Sequence, residues 1–267
     1  MVSEFLCECH GRLQIDGMEA RDIIKVGANY DGYWKNEDLA KSLKEKAIHI
    51  FEKMHPNCKA IFCFDNSQNH HAVAPDGLCA NKLNLGDGGK NTPKLRNTRF
   101  NGQEQKMQHE DGIQKGIRTI LQERELWNPN LNLDCKGPCQ GNCCQRYILS
   151  SQPDFLNQRS WLQEIVEDSC HEFLLFPKFH CEFNFIEMYW GEAKRKTRSK
   201  CEFTFQALEK NVPEALDSIC LAHIRRYAQH CYRNMDCYRK GLEGKELERA
   251  MKKFKSHRSI PSSFIMN

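Results

Sequence analysis

The stretch that most constrains this chain is a run of five apolar residues, Ala60-Ile61-Phe62-Cys63-Phe64, closed by Asp65. An unbroken run of that length reads as a strand buried on both faces, of the kind found in parallel sheets. Before it, residues 36–54 carry Leu39, Leu43, Ala47, Ile50, Phe51 and Met54 on one face at a helical period. His55-Pro56-Asn57 ends that helix. Residues 1–8 read as a strand, His10-Gly11-Arg12 as a turn, and residues 13–15 as a returning strand. Glu172-Phe173-Leu174-Leu175-Phe176 reads as a second buried strand, stopped by Pro177. Strand, strand, helix, strand in that order predicts an α/β fold with a mixed sheet. In open α/β sheets the chemistry collects beyond the carboxyl ends of the strands. Asp65 stands at such an end.

The rest of the chain divides by composition. Residues 16–33 read as irregular. Residues 86–116 are rich in Gly, Asn and Lys without periodicity and read as an insertion or mobile loop, with a helix over 113–126 after it. Residues 134–145 hold Cys135, Cys139, Cys143 and Cys144. Apolar periodicity predicts helices over 153–170 and 184–200, then three or four more from 203 onward, the last over 245–255. The expected organisation is a core in two parts, 1–85 and 151–200, split by an insertion over 86–150. A helical basic extension over 201–267 follows.

Charge is distributed unevenly. Residues 188–267 hold 17 Lys and Arg against 9 Asp and Glu, while residues 1–187 hold 22 against 26. A basic third on a weakly acidic body suits an anionic partner such as nucleic acid; ordinary solvated helix faces explain it equally well. No apolar run reaches the roughly 18 residues of a membrane span, and residues 1–13 lack a basic-then-apolar leader. Fifteen cysteines, an odd number, without such a leader predict reduced thiols rather than a disulfide framework.

Two acids occupy places suited to chemistry. Asp65 terminates a strand, and Glu187 falls in the first turn of a helix reached through a loop containing Pro177 and His180. A carboxylate at a strand end and another on a nearby helix can share divalent cations, and oxygen ligands in an open site suit Mg²⁺ or Mn²⁺. Two such ions about 4 Å apart stabilise both oxygens of a phosphodiester displacement.

Phe62-Cys63-Phe64-Asp65-Asn66-Ser67-Gln68-Asn69-His70 resembles the second-aspartate motif of mariner-like DDE transposases. The Pro177 loop and Asn184-Phe185-Ile186-Glu187-Met188-Tyr189-Trp190 resemble their third-acid motif. The likeness is to fungal mobile-element enzymes with a long insertion between these acids. It extends over most of residues 1–258, including Gly32-Tyr33-Trp34, Gln152-Pro153-Asp154-Phe155 and Met235-Asp236-Cys237-Tyr238-Arg239. What the resemblance implies is an RNase H-like fold, with Asp65 as second and Glu187 as third acid of a two-metal Mg²⁺ or Mn²⁺ site for DNA hydrolysis and strand transfer. It also implies a nuclear location, and it leaves a homodimer open. The first aspartate of the family belongs on a strand before residues 1–8, and Asp16, Asp22 and Asp31 do not replace it. The chain therefore reads as an N-terminally truncated core, without the usual DNA-binding region and inactive alone. The competing reading is a non-catalytic DNA-binding or interaction protein of the same ancestry. A third, another metal nuclease of this fold, would need a further acid near Asp65.

Two more features carry chemistry. Lys194, Arg195, Lys196, Arg198 and Lys200 follow Glu187 on one helix and can track a phosphate backbone. Lys252, Lys253, Lys255 and Arg258 form a weaker cluster. Four thiols within ten residues, Cys135, Cys139, Cys143 and Cys144, suit a structural zinc site. Adjacent Cys143 and Cys144 fit one ion awkwardly, so His109 or Cys170 stands as an alternative fourth ligand.

Overall fold

The computed structural model describes residues 1–254; Lys255 and Arg258 of the weaker basic cluster lie outside them. In chain order the elements are β1 (Val2–Glu4), β2 (Leu6–Cys7), β3 (Gly11–Arg12), β4 (Gln14–Ile15), β5 (Met18–Glu19) and β6 (Arg21–Ile23). Then come α1 (Asn36–Ser42), a π-helical turn (Leu43–Ile48), α2 (His49–Met54), β7 (Ile61–Phe64), β8 (Thr98–Phe100), β9 (Gln103–Gln105) and α3 (Ile117–Glu123). The chain continues through α4 (Gln145–Ser150), α5 (Pro153–Leu156), α6 (Trp161–Asp168) and β10 (Glu172–Leu175). It ends in α7 (Phe185–Ser199), α8 (Phe205–Asp217), α9 (Leu221–Arg239) and α10 (Gly244–Lys253). The fold is mixed helix and strand with small sheets, as the α/β reading expects.

The chain folds as two units: residues 1–70 joined by the chain from Ile165 onward, and residues 71–164. In the first unit, β1 pairs antiparallel with β6, placing Glu4 opposite Arg21. Residues 8–10 turn β2 back into β3. The residues read as irregular, 16–33, contain two of these strands. Asp16 and Gly17 both adopt positive φ (50° and 78°), which makes the tight two-residue turn between β4 and β5.

β7 and β10 pair in parallel, Ile61 opposite Glu172 and Phe64 opposite Leu175. The expectation that both strands are buried on two faces is corrected. Phe62 and Phe64 are buried, whereas Ile61 is 58 % exposed and Leu174 is also exposed. A strand buries both faces only when layers cover both, and here the Phe62 and Phe64 side alone is packed, against Phe5, Phe51 and Phe173. The predicted helix over 36–54 is continuous through its π turn. Helices α7, α8 and α9 share a second core built on Tyr189, Ala193, Leu216, Ile219 and Ile224, which Val2 and Leu6 also join.

The second unit corrects the mobile-loop reading of 86–116. Leu95 and Met107 are fully buried in a core with Leu78, Leu83, Ile117, Ile120, Leu149 and Phe155. This core draws on residues on both sides of the 86–150 segment. Asn101 and Gly102, both at positive φ, turn β8 into β9. Polar side chains replace regular ladders elsewhere: Gln114 accepts from Leu95 N and donates to Met107 O. Gly116 is required where it stands, because a Cβ there would lie 2.3 Å from the Gly86 carbonyl oxygen. The single helix expected over 113–126 is shorter, and that over 153–170 is two helices broken at residues 157–160.

Candidate functional site

Asp65 follows the last residue of β7. Its Oδ1 lies 2.7 Å from His70 Nδ1 and accepts from Ser67 N at 3.2 Å. The His70 ring packs edge-on to Phe64, 5.2 Å between centroids. Asn66 Nδ2 donates to Phe176 O, which ties the ends of β7 and β10 together. Asp65 is thus held at the carboxyl end of the parallel pair with half of its side chain open to solvent.

From β10 the chain runs through the Pro177 loop to α7. His180 Nδ1 lies 2.8 Å from Glu182 Oε1, and Tyr238 of α9 donates to the same oxygen at 2.9 Å. His180 stacks on Phe183. Burial alone would raise the Glu182 carboxyl, but the His180 contact, a bond from a backbone N–H and the Tyr238 bond together outweigh it and hold the group below its ordinary range. Asn184 caps α7 through backbone geometry alone, with no side-chain cap bond. Glu187, three residues on, is therefore not consumed in a capping box. Its carboxylate is exposed and engages no partner among the described residues.

Asp65 and Glu187, 122 positions apart, line one cleft of about 570 Å³ in the first unit. Residues 3–9 and 58–65 line it together with Phe183, Asn184, Trp190, Tyr232 and Met235. β7 pairs with β10 alone among the described strands.

Two further acids, which the sequence reasoning did not single out, line the same cleft: Glu4 and Glu8. Glu4 is 7 % exposed. Its Oε1 lies 3.3 Å from the Tyr189 hydroxyl, and its Oε2 is buried without a partner. Burial raises its pKa to about 7 against the pull of Arg21. Glu8 accepts from the Tyr232 hydroxyl at 2.8 Å. The available signal for Glu4 was an acid inside an otherwise apolar strand. Asp22 has a structural role, accepting from Ser42 and pairing with Lys46.

The basic residues of α7 separate into two sets. Lys194, Arg195 and Arg198 are exposed and form no ion pair among the described residues. Lys196 instead pairs with buried Glu192 at 3.0 Å and reaches Ser218, and Lys200 pairs with Glu214 at 3.4 Å. Glu192 also takes His223 at 2.9 Å and the Tyr227 hydroxyl. Burial would raise its pKa, yet Tyr227, His223 and Lys196 together bring it down to about 2.

In the second unit the thiols of Cys135, Cys139, Cys143 and Cys144 converge and could hold a metal ion. The sulfur separations are 3.3 Å (Cys135–Cys139), 3.6 Å (Cys135–Cys143), 3.9 Å (Cys143–Cys144) and 4.0 Å (Cys139–Cys144). A tetrahedron with metal–sulfur bonds of about 2.3 Å has edges of about 3.8 Å. The adjacent pair is accommodated because Cys144 is the extended N-cap of α4. His109 is engaged with Asp87 at 2.8 Å and does not belong to this cluster, nor does Cys170. No protein-family model, no curated protein and no solved structure matches this chain.

Proposed function

We propose that the first unit is an RNase H-like core of transposase ancestry, built to act on DNA through divalent cations. The observation that carries this reading is the convergence of Asp65 and Glu187 on one cleft, from the carboxyl end of a parallel strand and the first turn of α7. Their oxygens suit Mg²⁺ or Mn²⁺. The unpartnered Oε2 of Glu4 is a further oxygen that a hard cation would satisfy. Such ions supply Lewis-acid stabilisation of the attacking and leaving oxygens. The protein's part is to fix the carboxylates: His70 and Ser67 orient Asp65, and the His180–Glu182–Tyr238 contacts set where α7 begins.

Residues 1–267 alone are proposed to bind DNA without cutting it, because Asp16, Asp22 and Asp31 do not line the cleft and Glu8, which does, is engaged by Tyr232. Lys194, Arg195 and Arg198 are the proposed backbone contacts, in a nuclear protein. The cysteine cluster is proposed as a structural zinc site that braces the second unit.

The test is duplex binding against salt. Three phosphate contacts give a log–log slope of about −2.7. Lys194→Glu, Arg195→Glu and Arg198→Glu together should bring the slope near zero. In parallel, Mn²⁺ affinity measured by calorimetry should fall at least tenfold in Asp65→Asn and in Glu187→Gln. Mn²⁺ binding indifferent to both substitutions would remove the basis of the reading. A complete metal nuclease is the second reading, favoured by the presence of Glu4 in the cleft. It requires Mg²⁺-dependent cleavage by this chain that disappears in both Asp65→Ala and Glu4→Gln.

A further inference from the structure

Away from the acids, at the amino end of β7, three other donor side chains meet. Cys7 closes β2, His10 stands in the turn before β3, and His55 follows the last residue of α2. Cys7 Sγ lies 3.6 Å from His55 Nε2, and His10 Nδ1 lies 3.3 Å from the same nitrogen. All three donor atoms fall within 4.8 Å of one another.

These separations have a physical meaning. With metal–nitrogen bonds of about 2.0–2.1 Å and a metal–sulfur bond of about 2.3 Å, a tetrahedral ion has nitrogen–nitrogen edges of about 3.3–3.4 Å. Its nitrogen–sulfur edges are about 3.5–3.6 Å. The 3.3 Å and 3.6 Å contacts match both kinds of edge.

The surroundings hold the donors in place. Cys7 pairs with Gly11 in the β2–β3 ladder, and the His10 amide donates to Cys7 Sγ at 3.3 Å. That amide bond fixes the position of the sulfur beside the two imidazoles. Gly11 sits at φ 82°, where an added Cβ would press on Ile224. Arg225 grips the turn through the carbonyls of Glu8 and Cys9, at 3.1 and 2.8 Å. On the other side the His55 amide donates to Phe51 O at 2.8 Å, and the His55 ring stacks on Phe51.

We propose that Cys7 Sγ, His10 Nδ1 and His55 Nε2 form a binding site for a borderline-soft divalent ion of the Zn²⁺ or Co²⁺ class, with solvent as fourth ligand. Binding displaces one proton from the Cys7 thiol and uses both imidazoles in their neutral form. The ion clips the β2–β3 hairpin to the end of α2. Its sulfur and nitrogen donors separate it from the oxygen donors of Asp65 and Glu187, which favour hard cations.

The experiment uses the full chain, stripped with chelator and kept reduced with a phosphine, in a Cys135→Ser, Cys139→Ser background that disables the other thiol cluster. Co²⁺ titration followed by absorption should show one ion per chain, with ligand-field intensity of a four-coordinate site. The charge-transfer intensity should be that of one thiolate. His10→Ala, an exposed turn position, should weaken Co²⁺ at least tenfold, and His55→Gln should do the same, with circular dichroism unchanged. No bound Co²⁺ at micromolar concentration in this background would overturn the proposal. Binding unaltered in both histidine variants, or a spectrum without thiolate charge transfer, would overturn it as well.

Discussion

Replacing Glu4 by glutamine should stabilise this protein at pH 8 and leave it unchanged near pH 4.5. The carboxyl is 7 % exposed, shares Oε1 with the Tyr189 hydroxyl and keeps Oε2 buried without a partner. Burial raises its pKa from 4.5 to about 7, against Arg21 and Arg12. Between those two values the folded protein holds a proton that the unfolded chain has released. Stability therefore falls as pH rises through that window and is level above it. At about 1.4 kcal/mol per pH unit, the full cost above pH 7 is about 3 kcal/mol. Glutamine carries no charge and retains an acceptor for Tyr189, so the expected gain is about 1–3 kcal/mol at pH 8.

Urea unfolding at pH 5, 6, 7 and 8 measures this directly. Because the chain has two units, amide hydrogen exchange in β1, β6 and α7 should accompany it, to assign the change to the unit that contains Glu4. A parent protein whose stability is flat from pH 5 to 7 would refute the reasoning. So would a glutamine variant equally destabilised at both ends. Mn²⁺ adds a second arm: if Glu4 joins the cation site, the ion lowers its pKa and flattens the slope, whereas an ion held by Asp65 and Glu187 alone leaves the slope in place.

Glu192 should behave in the opposite sense. Its pKa is depressed to about 2, so its stabilisation is complete above about pH 4.5 and is lost as pH falls toward 2. Glu192→Gln should cost about 2–3 kcal/mol at pH 7 and little at pH 2, seen as a smaller acid-induced loss of stability than in the parent. In the second unit, Asp154 makes bidentate contacts to Arg124 at 3.0 and 2.6 Å, with side chains 8 % and 1 % exposed. Asp154→Ala strands a buried guanidinium and should cost about 3–5 kcal/mol. Urea unfolding and faster proteolysis within residues 71–164 would report it.

What was legible in the sequence was what local pattern encodes. The ends of β7, β10 and α7 fall within a residue or two of expectation, because Pro177 and Asp65 punctuate them and α7 carries a helical period. The tight turns at Asp16-Gly17 and Asn101-Gly102 had a signal in their dipeptides. The strands beside them are only two or three residues long and polar, so no alternation drew attention to them. Burial of one face of β7 instead of two depends on which elements cover it, and that is long-range information. Apolar spacing runs on through 157–160, where the chain breaks α5 from α6. Likewise, Cys7 and His55 lie 48 positions apart, and no motif spacing joins them. The convergence of Cys143 and Cys144 on one ion required the extended conformation of Cys144, which spacing does not reveal.

The cleft is where this fold gives up stability. A carboxyl whose pKa burial raises to about 7, an acid at the start of α7 with no partner among the described residues, and an exposed Ile61 on a strand that pairs along one edge among those residues all border the same space. The charges buried elsewhere in this unit are matched in the two clearest cases. Arg21 is shared between Glu19 and Asp217, and Glu192 is satisfied three times over. Sequences that are locally consistent nearly everywhere and inconsistent in one place usually carry function there. The donor types add direction: the Asp65 oxygens stand at the carboxyl end of β7, and at the other end Cys7 and His55, which line the cleft, meet His10 beside it. Ions of different hardness would therefore sort between the two ends by ligand chemistry rather than by competition for one site.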